Sequence, residues 1–566
     1  MSDAFRNNAR AALIAQLTER GTFAGELSAS ALSTATAAVA FALAANATGN
    51  PDHQRLAERA RAWIAAHQNS DGGWGDTIDS PTNISTTTLC WSALGFGDGD
   101  AGVVQRAEAW LSSACGDLSP ASVARAIRAR YGKDHTFSTP ILVTCAISGR
   151  LGEGGWRFVP ALPFELAAAP HSWFKALNLR MVSYALPALI AVGQARHFHH
   201  PSWNPLRALT RRRTLGILER IQPASGGFLE AAPLTSFVAM SLLSMGMHDH
   251  GVVKRGLDFL ADTARGDGSW PIDTNLEVWT TTLAVNALGS SPGDGTRAWL
   301  GAQQYTEVHP YTHADPGGWA WTDLPGGVPD ADDTSGALLA LHKLDPDAGP
   351  AAARGITWLL DLQNRDGGIP TFCRGWGKLP FDQSCPDITA HALRAWRTWS
   401  EAVPGLRRRI DAATHKAIRY LERTQREDGA WIPLWFGNQA APKEENPLYG
   451  TTRVLLAGDM LPRDVRDRAM SWLLRAQHQG GGFGGAPGVP PCIEETALAI
   501  EALSTEARAR EPQLQKALAW LADATDNGTR FPASPIGLYF AKLWYSERLY
   551  PIIFTVSALE RVQCPT

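Results

Sequence analysis

The sequence predicts an all-α protein built from repeated helical units. A short pattern recurs: Gln, three residues, Gly, any residue and then an aromatic residue. From Gly268 onward the copies stand about 50 to 60 residues apart, and the sequence between them has helical periodicity with few alternating strands. Such a repeat is typical of a helical array or a closed toroid. The copies are residues 68–74, 222–228, 425–431 and 477–483, with weaker copies at 268–270, 317–319 and 363–369.

The residues of the repeat have a structural role that follows from their chemistry. Glycine after a helix can take the left-handed conformation that ends it. The Gln side chain can bond backbone groups that a helix end leaves free, and the aromatic ring can stack on the turn. We therefore expect most of the repeat tryptophans to be structural and not catalytic.

Composition argues against several classes of function. The 566 residues carry a net charge of −3, which gives no nucleic-acid footprint. The seven cysteines form no CxxC pair, so the sequence predicts neither a zinc site nor a disulfide framework. The N-terminus lacks the apolar core of a signal peptide, and the longest strongly apolar stretch, residues 182–193, is too short to span a bilayer. We expect a cytoplasmic protein.

Three carboxyl groups stand within four positions, at Asp330, Asp332 and Asp333. Like charges repel, so the cluster is unstable unless something binds there or one group keeps its proton. An EF-hand calcium loop starting at Asp330 would need Gly and Glu where Ser335 and Leu341 stand, so that reading fails. Two tryptophans precede the cluster closely. An acid beside indole rings favours chemistry that makes a carbocation and then shelters it.

At these residues the sequence resembles a known family. The Gln…Gly-aromatic repeats are similar to the QW motifs of squalene-hopene and oxidosqualene cyclases. Residues 330–334 resemble the DxDD motif of class II terpene cyclases, which start their reaction by protonation. The resemblance covers most of the chain and is strongest from about Trp270 onward. Further similar blocks are residues 278–288, 387–391, 431–435 and 449–451.

The resemblance implies an architecture and an activity. It implies two α-barrel domains (α/α toroids), one inserted into the other, with the active cavity between them. The catalytic barrel would comprise residues 1–18 plus 271–566, and the inserted barrel residues 19–270. The implied activity is cyclisation of a linear polyprene, squalene or a related neutral triterpene, with no cofactor and no metal.

The resemblance also implies a role for each polar site residue. Asp332 matches the family's proton donor, while Asp330 and Asp333 would stay largely anionic and stabilise the new cation. Titration of such a cluster belongs to the group and not to one residue. His391 matches a histidine that hydrogen-bonds the donor, orients its proton and, if cationic, stabilises the conjugate base. Tyr449 matches a tyrosine that helps to return the proton through water.

Aromatic faces would exclude water and carry positive charge without acting as nucleophiles. Trp279, Trp321 and Trp435 match positions that line the family's cavity. Trp319 is either a second lining residue or a structural residue of the repeat. The C-terminal segment 531–550 resembles an aromatic tail that closes the far end of the cavity, with unassigned candidates Tyr539, Phe540, Trp544 and Tyr545.

A second substrate class stays open. A class II cyclase of a prenyl diphosphate, of the diterpene or drimenyl type, would need a basic pocket and usually Mg²⁺. Arg374 and Lys378 stand between the acidic motif and His391, but we interpret them as part of a solvated loop. A metal-dependent class I site is not indicated, because Gly336 replaces the last Asp of DDxxD.

Peripheral contact with the inner face of the cell membrane is a further hypothesis. Residues 156–179 are apolar and include Phe158, Phe164, Trp173 and Phe174. Residues 211–213 are arginines, which can meet lipid phosphates. Ordinary core and loop would explain this segment equally well, and the sequence gives no prediction of oligomeric state.

Overall fold

Helices dominate the structure along the whole chain. This computed structural model describes residues 3–97, 100–132, 135–170, 185–293, 295–372, 382–505, 511–538 and 542–563. The short strands are β1 (Ala29–Ser30), β2 (Trp270–Pro271), β3 (Phe436–Gly437), β4 (Ile536–Leu538) and β5 (Leu543–Tyr545). In chain order the helices are α1 (Asp3–Ile14), α2 (Ala31–Thr48), α3 (Pro51–Ala66), α4 (Ile84–Ala93), α5 (Ala101–Cys115), α6 (Pro120–Tyr131), α7 (His135–Ile147), α8 (Leu186–His199), α9 (Pro205–Ile221), α10 (Ala232–Ser244), α11 (Gly251–Asp262), α12 (Glu277–Leu288), α13 (Thr296–Ala302), α14 (Ala331–Leu344), α15 (Gly349–Leu362), α16 (Pro386–Trp399), α17 (Arg407–Thr424), α18 (Pro447–Leu455), α19 (Arg463–Ala476), α20 (Ile493–Leu503), α21 (Glu511–Ala524) and α22 (Tyr550–Gln563).

The larger of two barrels is a closed double ring of helices. Its inner helices α12, α14, α16, α18, α20 and α22 each pack against the next, and α22 packs against α12. The helices α1, α13, α15, α17, α19 and α21 pack around the outside of this ring. The inner helices are buried nearly all round, because they pack against neighbouring inner helices on their flanks and against the outer helices on their outward side.

The smaller barrel repeats this arrangement. Its inner helices α2, α4, α7, α8 and α10 form a second closed ring, with α3, α5, α6, α9 and α11 outside it. Each barrel encloses a separate hydrophobic core. The prediction of an all-α fold with two α-barrels is confirmed.

The chain leaves and re-enters the larger barrel at one place. β1 pairs antiparallel with β2, and Ser30 lies opposite Trp270. Core side chains from Ala31 to Trp270 belong to the smaller barrel, and those before and after belong to the larger one. The domain boundaries at 18/19 and 270/271 stay a prediction. The chain passes from one core to the other between Leu27 and Ala31, and returns between Trp270 and Ile272.

The repeat residues build the turns that join outer to inner helices. Gln425 Nε2 donates to the carbonyl oxygen of Gly429 at 2.9 Å and to that of Val465, in the next outer helix, at 3.0 Å. Trp431 Nε1 donates to the carbonyl of Leu421 near the end of the preceding helix at 2.9 Å. The Gln contacts recur in the copies at residues 68–74, 222–228, 363–369 and 477–483.

One copy of the repeat is interrupted by a loop. Gln304 Nε2 donates to the carbonyl oxygens of Gly317 at 2.8 Å and Ala351 at 3.0 Å. The Trp319 indole donates to the Leu300 carbonyl at 2.9 Å, as Trp431 does in its own copy. The sequence pattern missed Gln304 because the inserted loop breaks the fixed spacing from Gln to Gly.

Replacing Gly429 by Ala is expected to destabilise the larger barrel by about 2 kcal/mol. The φ of Gly429 is 101°, and a Cβ there would stand 2.4 Å from the carbonyl oxygen of Arg468. Urea unfolding followed by circular dichroism measures the loss. Gly405→Ala is the matched control, because its Cβ would meet nothing within 4 Å. Equal midpoints for the two variants would contradict this account of the turn.

Helix α2 is long and apolar enough to cross a membrane by length and composition. Its 18 residues have a mean hydropathy of 1.4, yet 72% of the helix is buried inside the protein. It is an inner helix of the smaller barrel. Our expectation that residues 182–193 are the longest strongly apolar stretch was therefore wrong. In α2 most residues are Ala, Ser or Thr, so the segment has few large apolar side chains by which to recognise it in the sequence.

Candidate active site

An apolar cavity of about 310 Å³ lies between the two barrels. Much of its wall is formed by the N-terminal turns of inner helices, from α12, α14, α16 and α22 of the larger barrel and α2, α7 and α10 of the smaller one. Examples from the smaller barrel are Leu32, Phe137 and Leu234. Helix N-termini carry partial positive charge, so this arrangement stabilises carboxylates in the wall.

The three acidic residues of the motif line this cavity at the start of α14. Asp330 is the N-cap, and its Oδ1 accepts the backbone N–H groups of Asp332 and Asp333, both at 2.9 Å. The Asp330 N–H donates to the Trp319 carbonyl at 3.0 Å. These bonds fix the backbone from which the three carboxyl groups project.

The environment of the motif favours retention of protons. Burial raises the pKa values of Asp330 and Asp333 above the ordinary range, and repulsion from neighbouring carboxylates acts in the same direction. Their exposed fractions are 3% and 6%. Asp333 Oδ1 has no hydrogen-bond partner within the described part of the chain. The structure therefore gives no support to the expectation that Asp330 and Asp333 are both largely anionic.

Asp332 is held by His391. Its Oδ1 lies 2.6 Å from Nδ1 of His391, which comes from α16, the neighbour of α14 in the inner ring. The side chains are 17% and 16% exposed, so neither reaches bulk solvent freely. Burial lowers the pKa of His391, which favours a neutral ring over the cationic ring that the sequence left open. A neutral imidazole can fix one oxygen of Asp332 while the carboxyl group faces the cavity.

Three of the predicted tryptophans lie in the cavity wall, namely Trp279, Trp321 and Trp435. The Trp279 indole donates to the hydroxyl of Tyr550 at 3.0 Å. Phe372 stands edge-on between the other two, with ring centroids 6.2 Å from Trp321 and 5.2 Å from Trp435. Aromatic rings that are held in place by hydrogen bonds and edge-on contacts present fixed π faces to a cation.

Besides His391, which stands behind Asp332, two predicted site residues are not among the lining residues of this cavity. Trp319 is fully buried in its repeat turn, so it has the structural role of the two that we considered. Tyr449 is 3% exposed and packs one layer behind the wall, with its ring 4.6 Å from that of Phe436, which does line the cavity. The Arg453 guanidinium carbon lies 5.3 Å from the centroid of the Tyr449 ring. The role of Tyr449 stays a prediction.

Sequence reasoning missed part of the wall. Asp273, Phe372 and Phe436 had no motif to mark them, and Tyr550 was inside the predicted aromatic tail without being singled out. From that tail Tyr545 lines the cavity and Trp544 is buried without lining it. The remaining candidates and hypothetical cationic residues lie outside the described residues: Tyr539, Phe540, Arg374 and Lys378.

The described wall contains acidic side chains and no basic ones. Its ionisable acids are Asp273, Asp330, Asp332 and Asp333, and no Lys or Arg from the described ranges lines the cavity. Within the same ranges, no group of three or more His, Cys, Asp or Glu side chains is placed to hold a metal ion. The expectation of no cofactor and no metal stays a prediction.

Two family models match this chain. Residues 7–133 match the squalene-hopene cyclase N-terminal domain, and residues 275–489 match the squalene-hopene cyclase C-terminal domain. The chain belongs to the squalene-hopene cyclase family of class II terpene cyclases. The C-terminal match contains both the acidic motif and His391.

Relatives within the cyclase family differ in substrate. A probable squalene–hopene cyclase of Sinorhizobium fredii is 24% identical over 82% of this chain and 82% of its own length. Drimenyl diphosphate synthase of Streptomyces showdoensis is 28% identical over 69% of this chain and 68% of its own. A terpene cyclase–glycosyl transferase fusion protein of Humicola fuscoatra is 27% identical over 88% of this chain but only 45% of that protein. The chain thus spans less than half of this fungal relative.

The cyclase fold extends over the whole chain. The solved structure of ent-copalyl diphosphate synthase from Streptomyces platensis matches with a TM-score of 0.60 at 19% sequence identity. The match covers 99% of this chain and 100% of that one. This likeness shows the double-barrel fold and leaves the substrate open.

Proposed function

We propose that this class II cyclase protonates and cyclises a linear neutral polyprene, squalene or a related triterpene. The observation that carries the proposal is that Asp332 lines an apolar cavity while His391 holds its Oδ1 at 2.6 Å. In this proposal Asp332 gives its proton to the terminal double bond, and a tertiary carbocation forms. Successive double bonds then attack the cation and close the rings.

The surroundings of Asp332 support the first step. An alkene is a very weak base, so the acid must work where water does not compete for its proton. After transfer, the Asp332 carboxylate is stabilised by the N-terminus of α14 and by the hydrogen bond with His391. Burial raises the pKa values of Asp330 and Asp333, which favours their neutral forms and so limits the repulsion that would oppose this new charge.

The aromatic wall supports the later steps. A cation over an indole or phenyl face is stabilised by about 0.5 to 2 kcal/mol or more when it is desolvated. The N–H groups of Trp279 and Trp321 are bonded to Tyr550 and Asp273. The faces of these rings are therefore fixed, and no ring offers a strong nucleophile that would trap the cation.

The charge of the described wall favours a neutral substrate. A diphosphate is strongly anionic, and the described wall supplies no Lys or Arg to neutralise it, while any ionised carboxylate there would repel it. The alternative function is a class II cyclase of a prenyl diphosphate, which leaves the diphosphate intact. The likeness to drimenyl diphosphate synthase favours that alternative.

Incubation of the purified protein with squalene and with geranylgeranyl or farnesyl diphosphate separates the two functions. Each substrate is tested with Mg²⁺ and with a chelator, and extracts are analysed by gas chromatography and mass spectrometry. We expect cyclic products from squalene in both conditions. Turnover of the diphosphates alone, with dependence on Mg²⁺, would contradict the neutral-substrate proposal and establish the alternative.

We also propose a peripheral membrane contact, on a different surface from the one that the sequence suggested. Of residues 156–179, Phe164 is buried and Phe158 half-buried, while Trp173 and Phe174 lie outside the described residues. An apolar patch instead projects from the end of α8 to α9 and consists of Phe198, Trp203, Leu206 and Leu209, of which Trp203 is 98% exposed. Arginines 211–213 follow this patch directly in α9.

Trp203→Ser combined with Leu209→Ser is expected to weaken binding to vesicles by at least about tenfold, since two large apolar side chains no longer enter the lipid. Flotation with vesicles of mixed neutral and anionic phospholipid measures the bound fraction. Ile78→Ser is the matched control, because Ile78 is 55% exposed outside the patch. Absence of wild-type binding, or equal binding by all three proteins, would contradict the proposed contact.

A further inference from the structure

A carboxyl group outside the acidic motif lines the same cavity. Asp273 lies in the segment between β2 and α12. Its Oδ1 accepts the N–H of Thr274 at 2.8 Å, and its Oδ2 accepts the indole N–H of Trp321 at 3.1 Å. Both oxygens thus accept from N–H donors, as a carboxylate requires. None of the described Lys and Arg residues forms an ion pair with it.

The chain segment behind Asp273 is held in an unusual conformation. Asp273 is bridged to Ala231, and the Thr274 N–H donates to the Glu230 carbonyl at 3.1 Å. Leu229 and Glu230 both have positive φ, 57° and 53°, at a cost of about 1 to 3 kcal/mol each. Leu229 also lines the cavity. Such strain is maintained only where the surrounding structure fixes the local geometry, and here the strained residues precede Ala231, which is bridged to Asp273.

Asp273 is separate from the acid that starts the reaction. Asp273 belongs to the segment before α12, whereas Asp332 stands in the first turn of α14, so the two carboxyl groups reach the cavity from different elements. Burial raises the pKa of Asp273 well above its ordinary range, while the N–H donors of Thr274 and Trp321 act in the opposite direction and stabilise the carboxylate that the base must be.

We propose that Asp273 is the base that ends the cyclisation by accepting a proton from the final carbocation. The inference rests on the proposed function. A C–H bond beside the cationic carbon breaks, its electron pair forms a C=C bond, and the proton passes to a carboxylate oxygen of Asp273. Trp321, which stabilises a cation on its face and is bonded to Asp273 at its edge, places cation and base side by side. One proton enters from Asp332 and one leaves to Asp273, and exchange with solvent then reprotonates Asp332 and deprotonates Asp273.

Product analysis of Asp273→Asn and Asp273→Ser tests this role. Both variants are expected to consume substrate within about tenfold of the wild-type rate, because Asp332 still starts the reaction. The main wild-type alkene should fall at least about tenfold as a share of products, with alkenes formed at other positions or alcohols in its place. Asp267→Asn is the control: Asp267 accepts the Trp63 indole N–H at 3.1 Å but does not line the cavity.

One further variant distinguishes a base from a residue that only holds Trp321. Asp273→Asn keeps an oxygen that can accept the Trp321 N–H but removes the carboxylate, whereas Asp273→Glu keeps a carboxylate and is expected to retain the wild-type alkene. An unchanged product profile in Asp273→Asn would overturn the inference. So would the same altered profile in Asp273→Glu, or an alcohol as the sole wild-type product. A wild-type protein that cyclises no neutral polyprene would instead refute the proposed function.

Discussion

Asp332→Asn is expected to lower the turnover of a linear polyprene by at least about 10² to 10⁴-fold while the protein still folds. The amide has nearly the same shape as the carboxyl group and can keep a hydrogen bond with His391. It cannot deliver a proton of comparable acidity to an alkene. Initial rates of product formation, with circular dichroism to verify folding, measure the effect.

The control for this experiment is Asp361→Asn. Asp361 pairs with Arg409 at 2.6 Å on the surface of the larger barrel, and its side chain is 60% exposed. We expect wild-type turnover from the control. An Asp332→Asn protein that kept a rate within twofold of wild type would show that another group protonates the substrate.

His391→Ala is expected to lower kcat by about 10²-fold and to change KM little. The residue holds Asp332 but is not among the residues that line the cavity, so its loss should affect proton delivery more than substrate binding. Without the ring, Oδ1 of Asp332 loses its 2.6 Å partner and the carboxyl group can rotate away from the double bond. Steady-state kinetics with the preferred substrate separate the two parameters.

His415→Ala provides the matched control, because His415 lies exposed on α17 and its ring bonds the Asp411 carbonyl of its own helix. It should behave as wild type. A His391→Ala protein with unchanged kcat and a raised KM would show that His391 acts in binding and not in orientation of the acid.

Much of the fold can be predicted from the sequence because the repeat has a local cause. Gly429 needs a positive φ, Gln425 reaches a carbonyl of its own turn, and Trp431 reaches back to the preceding helix. These contacts are short-range, so the spacing of the residues reveals them. Gln304 shows the limit, since a single inserted loop removed the spacing while the contacts remained.

The site is less predictable because two barrels meet around it. The acidic motif is local, and the Asp332–His391 contact was expected from the resemblance. By contrast, Asp273 and Phe237 line the cavity only because the barrels pack together, and no local pattern records that packing. Trp319 and Trp321 stand two positions apart in the sequence but have different surroundings. The repeat turn buries Trp319, whereas Trp321 lies in the cavity wall.

The most direct test of proton delivery into a double bond is a reaction run in D₂O with fully exchanged enzyme. We predict that the product carries one deuterium at the terminal isoprene unit, on the carbon that Asp332 protonates, and that mass spectrometry places it there. Products that form at the normal rate without deuterium at that carbon would contradict protonation by an exchangeable acid and therefore the central role of Asp332.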